Sequence, residues 1–556
     1  MNPERVMFEA DVAIVGGGTA GCLTAITLKE QVPQAKVIIL EKAEIRRSGC
    51  LAAGANNIKT YLHGNETPES YLKYLRVETM GLLQEDLVFS AAERINEVVQ
   101  KVEGWGLSIH KDLSGAYIPS ARWQIKINGE RIKPLLAGKV QEQGVKVLNR
   151  VAATGFLLSG SRVIGVTGIG VRDGRFYIIK AGTVVCATGG AAGLYQTPQG
   201  RRWYPPFNTG AGYAMGIRAG AEMTSFEMRF IGLSVKDVKC PVNILVRDFG
   251  ASLVNPLGEK YMEKRFAHTG SESSPACIQL YGFLQEVREG RAPCYVDTRY
   301  ITSRQLKNIK EFCLDMYPET VLYWLANNID LRKELIEICG TEPFITGGHS
   351  LAGYWVDINR RTTLPGLYAC GDVAGGYPYK FISGSWVEGV IVGETIANEL
   401  SPIVKDKEII ENIFIEEERA FAPIKRYRQN LTGINPYEME MRLQKIMDEY
   451  AGGISCFYEL SENRLIKARD YLSRMEELIP YLKAKDSHQL MKAHEVIDRI
   501  EVAKVTVEHL LYRKESRFFQ FRTDFPEKKD FDWLLLVNSR RNDYGEIEML
   551  ERPLRR

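Results

Sequence analysis

A glycine-rich turn near the N-terminus carries the first residues whose types and spacing could do chemistry. Gly16, Gly18 and Gly21 follow the apolar run 11–15, and a second apolar run ends at Glu41, 20 residues after Gly21. The first glycine permits a tight turn, the second lets the backbone approach a pyrophosphate, and the third lets a helix pack on the strand. The helix N-terminus would face the phosphates and the acid the ribose. The spacing therefore predicts a dinucleotide site.

Two later apolar runs also end in residues suited to the edge of a nucleotide-binding sheet. Residues 183–190 read as a strand that ends in Thr188, Gly189 and Gly190, and residues 366–372 read as a strand that ends in Gly371 and Asp372. Because these strand ends are spread along the chain from residue 11 to residue 372, we expect one Rossmann-type fold that is interrupted by insertions.

The rest of the chain predicts further domains. Residues 233–341 mix charged and aromatic residues without another strand, glycine turn and helix, which indicates an inserted domain. Residues 401–517 have helical spacing of apolar residues, and residues 518–556 form a polar and aromatic end with a strand-like run at 533–537. We therefore expect an α/β dinucleotide-binding domain over 1–232 and 342–400, an inserted domain over 233–341, a helical domain over 401–517 and a C-terminal segment over 518–556.

Composition excludes several classes of protein. The formal net charge is +3 in 556 residues, too little to predict nucleic-acid binding. The ten cysteines never fall in a Cys-x-x-Cys spacing, which argues against a zinc site or an iron–sulfur cluster carried by this chain alone. Free thiols inside apolar runs favour a reducing, cytoplasmic compartment. Neither a signal peptide nor a membrane-spanning run is read, so we expect no direct membrane insertion.

With these motifs in one chain, the sequence resembles the flavoprotein subunits of succinate dehydrogenase, fumarate reductase and L-aspartate oxidase. Within that superfamily it is most similar to the alpha subunits of adenylylsulfate reductases. The resemblance covers almost the whole chain, and it rests on the order of the glycine turn and the segments 47–49, 122–129, 208–215, 348–350, 380–385, 515–517, 522–526 and 537–540.

The resemblance implies that the dinucleotide is FAD, held where the FAD-binding domain meets an inserted α+β capping domain. By matching motifs, the cofactor-binding residues would be Gly16, Gly18, Thr19, Ala20, Gly21, Glu41, Lys42, Ser48, Gly49, Thr188, Gly189, Asp372 and Ser385. Succinate dehydrogenases attach the flavin to a histidine one residue after an Arg-Ser pair, and Gly49 stands there in this sequence. We therefore expect noncovalent FAD. We also expect no bound metal.

Flavin chemistry needs side chains that hold an anionic substrate over the ring and supply charge or a proton. The resemblance implies that Arg291 is an anion clamp or proton donor and that His349 is the active-site histidine. Arg247 and Glu259 lie in or beside a segment similar to part of the family's capping domain. Glu259 could belong to a proton path or could cap a turn, and both interpretations stay open.

Lys380 stands where dicarboxylate enzymes of the family carry an arginine and where adenylylsulfate reductases carry lysine. Because arginine grips a carboxylate with two hydrogen bonds and lysine does not, Lys380 argues against a C4-dicarboxylate substrate. Other positions depart from the family. A histidine of the fumarate reductases has no counterpart in residues 227–232, where Arg229 could replace its charge. Ala211 replaces an acid, and Lys59 replaces an asparagine of the adenylylsulfate reductases.

The resemblance favours a FAD-dependent oxidoreductase that exchanges two electrons between FAD and a small anion. Adenylylsulfate, or sulfite with AMP, is the leading substrate hypothesis, with Arg291, His349, Lys380 and Lys59 holding the anion. Reduction of an activated C=C bond, as in fumarate reductases, is the first alternative, with Arg291 as proton donor. A noncatalytic electron relay in a larger complex is the second. Since no cluster ligands are recognised in this chain, we expect a ferredoxin-like iron–sulfur partner subunit.

Overall fold

The fold is described by a computed structural model for residues 3–197, 203–403 and 409–556. Within these ranges the strands β1 to β21, in chain order, are Arg5–Val15, Val37–Glu41, Asn57–Lys59, Ser108–Ile109, Pro119–Ala121, Gln124–Asn128, Lys146–Asn149, Val151–Ser159, Arg162–Gly170, Phe176–Cys186, Met223–Thr224, Leu233–Val235, Ser252–Val254, Tyr295–Asp297, Ile336–Gly340, Gly353–Tyr354, Leu367–Ala369, Glu459–Leu460, Phe521–Arg522, Leu535–Arg541 and Ile547–Pro553.

The helices of the same ranges, α1 to α17 in chain order, are Thr19–Gln31, Pro68–Glu78, Glu85–Ala92, Ile95–Gly104, Ile132–Glu142, Ala211–Arg218, Val242–Arg247, Tyr261–Phe266, Ala276–Arg288, Ser303–Met316, Pro318–Ala326, Phe381–Asn398, Ile409–Arg428, Pro436–Tyr450, Glu462–Leu478, Ser487–Tyr512 and Asp530–Trp533. In the described part of the chain, no helix combines the length and apolar character that crossing a bilayer requires.

A mainly parallel sheet organises the nucleotide-binding part. Its strands lie in the order β7, β2, β1, β10, β9 and β8, with β17 beside β10. Strands β7, β2, β1, β10 and β17 pair in parallel, whereas β9 pairs antiparallel with both β10 and β8. Residues 12–15 of β1 are all buried, as expected for a parallel strand covered on both faces. Helix α1 packs closely against α12, so the glycine turn and the residues before α12 meet at one edge of the sheet.

The insertion has a sheet of its own. Strands β12, β15, β14 and β13 pair antiparallel in that order, and helices α7 to α11 connect them. This insertion places α7 and α10 over the edge of the main sheet where the glycine turn lies. The expected α/β architecture with an inserted α+β unit is confirmed.

The C-terminal part is helical and then returns to the nucleotide-binding part. Helices α14, α15 and α16 pack together, while α13 lies along β8. The strand expected at residues 533–537 begins later, at Leu535, because a short helix, α17, occupies Asp530–Trp533. This strand, β20, pairs with β11 and forms a hairpin with β21. The last strands therefore belong to a sheet that starts in the first half of the chain.

Candidate functional site

A large cavity lies between the edge of the main sheet and the inserted unit. Its volume is about 1370 Å³. Ligand pockets commonly measure about 300–1000 Å³, so this one has room for more than one ligand. Residues of the glycine turn, of β2, of the segment around Asp372 and of helices α2, α7 and α10 line it.

The glycine turn shows which glycines the protein needs and which one a ligand would need. A Cβ on Gly16, whose φ is +104°, would lie 2.5 Å from the Ala187 carbonyl oxygen, and one on Gly21 would lie 2.2 Å from the Gly16 carbonyl oxygen. A Cβ on Gly18 would meet nothing closer than 3.7 Å, and Gly18 lines the cavity. The fold alone therefore requires Gly16 and Gly21, whereas Gly18 leaves space for a group that approaches the backbone, as a pyrophosphate does.

Glu41 is held at the end of β2 by two backbone amides. Its Oε2 accepts a hydrogen bond from Gly17 N at 2.9 Å, and its Oε1 accepts one from Ala43 N at 2.7 Å. Of the sequence-predicted cofactor residues, all except Gly21 line the cavity: Gly16, Gly18, Thr19, Ala20, Glu41, Lys42, Ser48, Gly49, Thr188, Gly189, Asp372 and Ser385. These residues fit an extended dinucleotide.

Asp372 is fixed by two tyrosines that sequence reasoning did not find. The Tyr204 hydroxyl donates to Asp372 Oδ2 at 2.8 Å, and the Tyr213 hydroxyl donates to the Asp372 carbonyl oxygen at 2.9 Å. Tyr204 also accepts a hydrogen bond from Gly190 N at 3.1 Å. The strand ends at 190 and 372 are therefore joined on one wall of the cavity.

Comparisons with known proteins agree with this geometry. A family described as "FAD binding domain" matches residues 11–379, and one described as "Fumarate reductase flavoprotein C-term" matches residues 440–555. The adenylylsulfate reductase subunit alpha of Megalodesulfovibrio gigas is 31% identical, and the match covers 97% of this chain and 94% of that protein. This chain belongs to the FAD-dependent flavoprotein family of fumarate and adenylylsulfate reductases.

Two solved structures in this family resemble the chain over nearly its full length. The adenylylsulfate reductase of Archaeoglobus fulgidus gives a TM-score of 0.92 at 33% identity, covering 99% of this chain and 96% of that one. A structure described as adenosine-5-phosphosulfate reductase in complex with sulfite, as a covalent adduct, gives the same TM-score, identity and coverage. The chain is thus a FAD-dependent oxidoreductase, and three of the catalytic residues predicted for this flavoprotein line its cavity: Lys59, Arg247 and His349.

Lys59 ends β3 and is only 4% exposed. Its Nζ donates hydrogen bonds to the Tyr71 hydroxyl and the Tyr379 carbonyl oxygen. It also lies 4.4 Å from the centre of the Tyr71 ring and 4.6 Å from that of Phe381, within cation–π range. Burial holds the pKa of Lys59 well below its ordinary value of 10.5.

Arg247 ends α7 of the inserted unit and reaches toward α2. Its Nη2 donates to Glu78 Oε1 and, at 3.2 Å, to the Ser273 carbonyl oxygen. The Glu78 side chain is 2% exposed and the Arg247 side chain 21% exposed. Arg247 is therefore a cation at the cavity wall whose carboxylate partner is almost fully buried.

His349 lies among aromatic rings. Its ring centre is 5.2 Å from that of Phe230, 5.3 Å from Phe381 and 5.9 Å from Phe344. Its Nδ1 is buried without a hydrogen-bond partner in the described part of the chain. Burial lowers the pKa of His349, although Asp372 opposes this shift, so the imidazole is neutral at neutral pH. A neutral imidazole with an open nitrogen can accept or donate a proton.

Arg291, expected to grip the substrate, does not line the cavity. Its guanidinium is engaged by two neighbouring carboxylates, with Nε donating to Glu286 Oε2 at 2.6 Å and Nη2 donating to Glu289. Arg265 shares the same pair of acids. The sequence motif around Arg291 therefore encodes a local ion-pair cluster of the inserted unit.

Glu259 is also away from the cavity. Its carboxylate accepts from Asn255 Nδ2 at 2.9 Å and from Lys264 Nζ at 2.8 Å, and its backbone N–H donates to Asn255 Oδ1 at 3.1 Å. Of the two interpretations of Glu259, the one in which it caps a turn fits these contacts.

Lys380, expected to contact the substrate, is fully buried and does not line the cavity. Its Nζ donates to the Gly371 and Ala374 carbonyl oxygens at 2.8 and 2.7 Å and pairs with Glu388 at 3.0 Å. Glu388 also accepts from Gly371 N at 2.8 Å. Lys380 therefore fixes the loop that carries Asp372.

Arg229, which could replace the charge of the fumarate reductase histidine, is buried and does not line the cavity. Its Nη1 donates to the carbonyl oxygens of Ala451 and Gly452 at 2.6 and 2.9 Å. Arg229 thus connects the nucleotide-binding part to the end of α14.

No cluster of three or more metal-ligating side chains occurs in the part of the chain that the structure describes.

Proposed function

We propose that this flavoprotein interconverts adenylylsulfate with sulfite and AMP. The observation that carries the proposal is the makeup of the cavity beyond the cofactor cradle, where Lys59, Arg247 and His349 lie among large aromatic side chains, including Tyr74, Trp123, Phe230, Phe312, Tyr317, Tyr379 and Phe381. Cations suit sulfate and phosphate groups, and flat rings suit a purine. The likeness to adenylylsulfate reductases supports the same assignment.

The reaction balances as a two-electron exchange. In the reducing direction, two electrons convert the sulfur of adenylylsulfate to sulfite, and the bond between that sulfur and the phosphate oxygen breaks. AMP leaves with this oxygen. Bound FAD supplies two-electron redox chemistry. The chain's own residues bind and orient the anion, since Lys59 and Arg247 offer positive charge to the sulfur and phosphate oxygens.

His349 is the proposed proton-handling group. Its ring is neutral and buried, and its Nδ1 has no protein partner among the described residues. Such a nitrogen can exchange a proton with a leaving or entering oxygen without first breaking another hydrogen bond. The surrounding phenyl rings keep bulk water away from it, which strengthens its interaction with a charged substrate.

The contacts of Arg291 and Lys380 weigh against C=C reduction. In that alternative Arg291 donates the proton and the residue at 380 binds a carboxylate, yet both side chains are held by Glu286, Glu289 and Glu388 outside the cavity. In the adenylylsulfate proposal the anion is held instead by Lys59, Arg247 and His349, which line the cavity.

Noncovalent FAD and an iron–sulfur partner complete the proposal. Gly49 lines the cavity where covalent relatives carry histidine, and it offers no side chain to link to the flavin. Electrons enter or leave through a ferredoxin-like iron–sulfur subunit, a proposal supported by the likeness to adenylylsulfate reductase alpha subunits. Acid precipitation should release the flavin into the supernatant.

The test is AMP-dependent sulfite oxidation by the purified, FAD-loaded chain with ferricyanide as artificial electron acceptor. We expect turnover with sulfite that rises when AMP is added. Turnover with succinate but not with sulfite would overturn the assignment in favour of C=C chemistry. An absence of turnover with every substrate, together with a flavin that ferricyanide reoxidises, would support the electron relay instead.

A further inference from the structure

Lys59 is a buried lysine that the protein leaves without a negative partner. Among the described residues, its Nζ donates only to the Tyr71 hydroxyl and the Tyr379 carbonyl oxygen, and no carboxylate pairs with it. Lys380 is buried to the same degree but pairs with Glu388 at 3.0 Å, which Arg360 shares at 3.2 Å. The fold thus gives Lys380 a carboxylate partner, whereas Lys59 faces the cavity without one among the described residues.

Among the described residues, the groups that face Lys59 are uncharged at neutral pH. Helix α2 contributes Tyr71, with Tyr377 next to it, and the segment before α12 contributes Tyr379. Strand β6 contributes the neutral Gln124, and His349 lies across the Phe381 ring. Burial raises the pKa of the three tyrosines and lowers that of His349. At neutral pH none of these groups supplies the negative charge that a buried ammonium needs.

The backbone around Lys380 is strained in a way that maintains this arrangement. Tyr379 and Phe381 both have φ of +50°, a left-handed conformation that is rare and strained for bulky residues. The strained segment presents the Tyr379 carbonyl oxygen and the Phe381 ring to Lys59. Lys380, tied to Glu388, anchors the segment. The polar and aromatic surroundings of Lys59 are therefore built by the fold.

An unpaired ammonium in such surroundings raises the free energy of the protein. That cost disappears if the group loses its proton or if an anion binds beside it. We propose that Lys59 is a neutral amine when no anion is bound and takes up one proton from solvent when an oxyanion of the substrate binds beside it. The inference rests on the proposed function in one respect, that the substrate is an oxyanion. The anion then brings the counter-charge that the protein omits, so that charge at this position is created only with substrate in place.

The pH dependence follows from linkage. An anion beside Lys59 raises the pKa of the amine, so the complex holds one more proton than the free protein between the two pKa values. In that window anion affinity falls by about tenfold per pH unit as pH rises. Below the pKa of the free protein Lys59 is already charged, and affinity no longer changes with pH.

The experiment is calorimetric titration of the FAD-loaded protein with sulfate, a dianion that neither titrates near neutral pH nor reduces flavin. Titrations at one pH in two buffers of different ionisation enthalpy give the number of protons taken up. We expect about one proton per sulfate for the wild type. Lys59→Arg should bind sulfate with no uptake, because arginine stays protonated. Lys59→Met should weaken binding by about tenfold or more and also abolish uptake.

Each other outcome overturns the inference. Sulfate binding without proton uptake shows that Lys59 is charged beforehand, and absence of sulfate binding removes the oxyanion site. Uptake that persists in Lys59→Arg but disappears in His349→Gln assigns the proton to His349. Flavin content and melting temperature check that the variants fold. Failure of the adenylylsulfate assignment is distinct, since proton uptake would then persist while AMP-dependent sulfite oxidation is absent.

Discussion

The carboxylate of Glu78 pairs with the guanidinium of Arg247 across the wall of the cavity. Glu78 is the last residue of α2 in the nucleotide-binding part, and Arg247 is the last residue of α7 in the inserted unit. The Glu78 side chain is 2% exposed. The pair therefore joins two parts of the chain and orients a cation that also faces the substrate space.

Two variants and their combination separate the stability of this pair from its role in binding. Arg247→Met leaves Glu78 as an unpaired buried carboxylate, which should cost about 3 kcal/mol of folding stability. It should also weaken anion binding by about tenfold to hundredfold, because a charged hydrogen bond is lost. The double variant Arg247→Met with Glu78→Gln should regain most of the stability and none of the affinity. Melting temperature and sulfite titration measure the two effects, and recovered affinity in the double variant would contradict this role.

The glycine turn predicts opposite outcomes for two similar substitutions. Gly21→Ala should prevent folding, because its Cβ would lie 2.2 Å from the Gly16 carbonyl oxygen. Gly18→Ala should fold normally, since its Cβ meets no atom closer than 3.7 Å, yet FAD affinity should drop by about tenfold or more as the methyl group enters the pyrophosphate space. Circular dichroism and flavin content measure these outcomes. A Gly18→Ala protein with full flavin content would place the pyrophosphate elsewhere.

Arg291→Gln should leave catalysis nearly unchanged. The Arg291 side chain is held by Glu286 and Glu289 outside the cavity, and Arg265 still pairs with both acids after the substitution. We expect kcat/KM for sulfite within about twofold of wild type, with little loss of stability, because ion pairs of exposed side chains contribute little. Arg247→Met serves as the positive control. A collapse of kcat in Arg291→Gln with FAD still bound would restore Arg291 to the active site.

Glu342 should make the stability of the folded protein depend on pH. Burial raises the pKa of this carboxyl from 4.5 to about 7, although the Trp203 amide hydrogen bond opposes the rise. Because the folded state holds the proton more tightly than the unfolded state, stability is lost as pH rises through about 7. Glu342→Gln should therefore be more stable than wild type by about 3 kcal/mol at about pH 8, with the difference shrinking toward about pH 5. Equal melting temperatures at the higher pH would contradict this pKa.

Local sequence patterns predicted the parts of the site that depend on local structure. The glycine turn and Glu41 lie within one strand, turn, helix and strand unit, so their spacing suffices to place them together. Of the residues predicted by motif matching, His349 and Lys59 line the cavity and Arg291 and Lys380 do not. A motif gives a position in the chain and not the direction of a side chain. Their directions are decided by Glu286, Glu289 and Glu388, which pair with them.

Some residues left a signal that the sequence could have revealed. Glu78 shares a buried face of α2 with Tyr71 and Leu75, at helical spacing, and an acid on such a face needs a partner. That partner, Arg247, is 169 residues away, beyond the reach of any local pattern. Lys133 is buried on α5 and donates to the Gly17 carbonyl oxygen of the glycine turn, and no spacing in the sequence indicates this contact.

The most direct test of the central claim is an anaerobic absorbance titration of the flavin in the purified chain. Sulfite should bleach the flavin band, AMP should lower the sulfite concentration required, and fumarate and succinate should leave the spectrum unchanged. A flavin that responds to a dicarboxylate and not to sulfite, with or without AMP, would contradict the adenylylsulfate assignment.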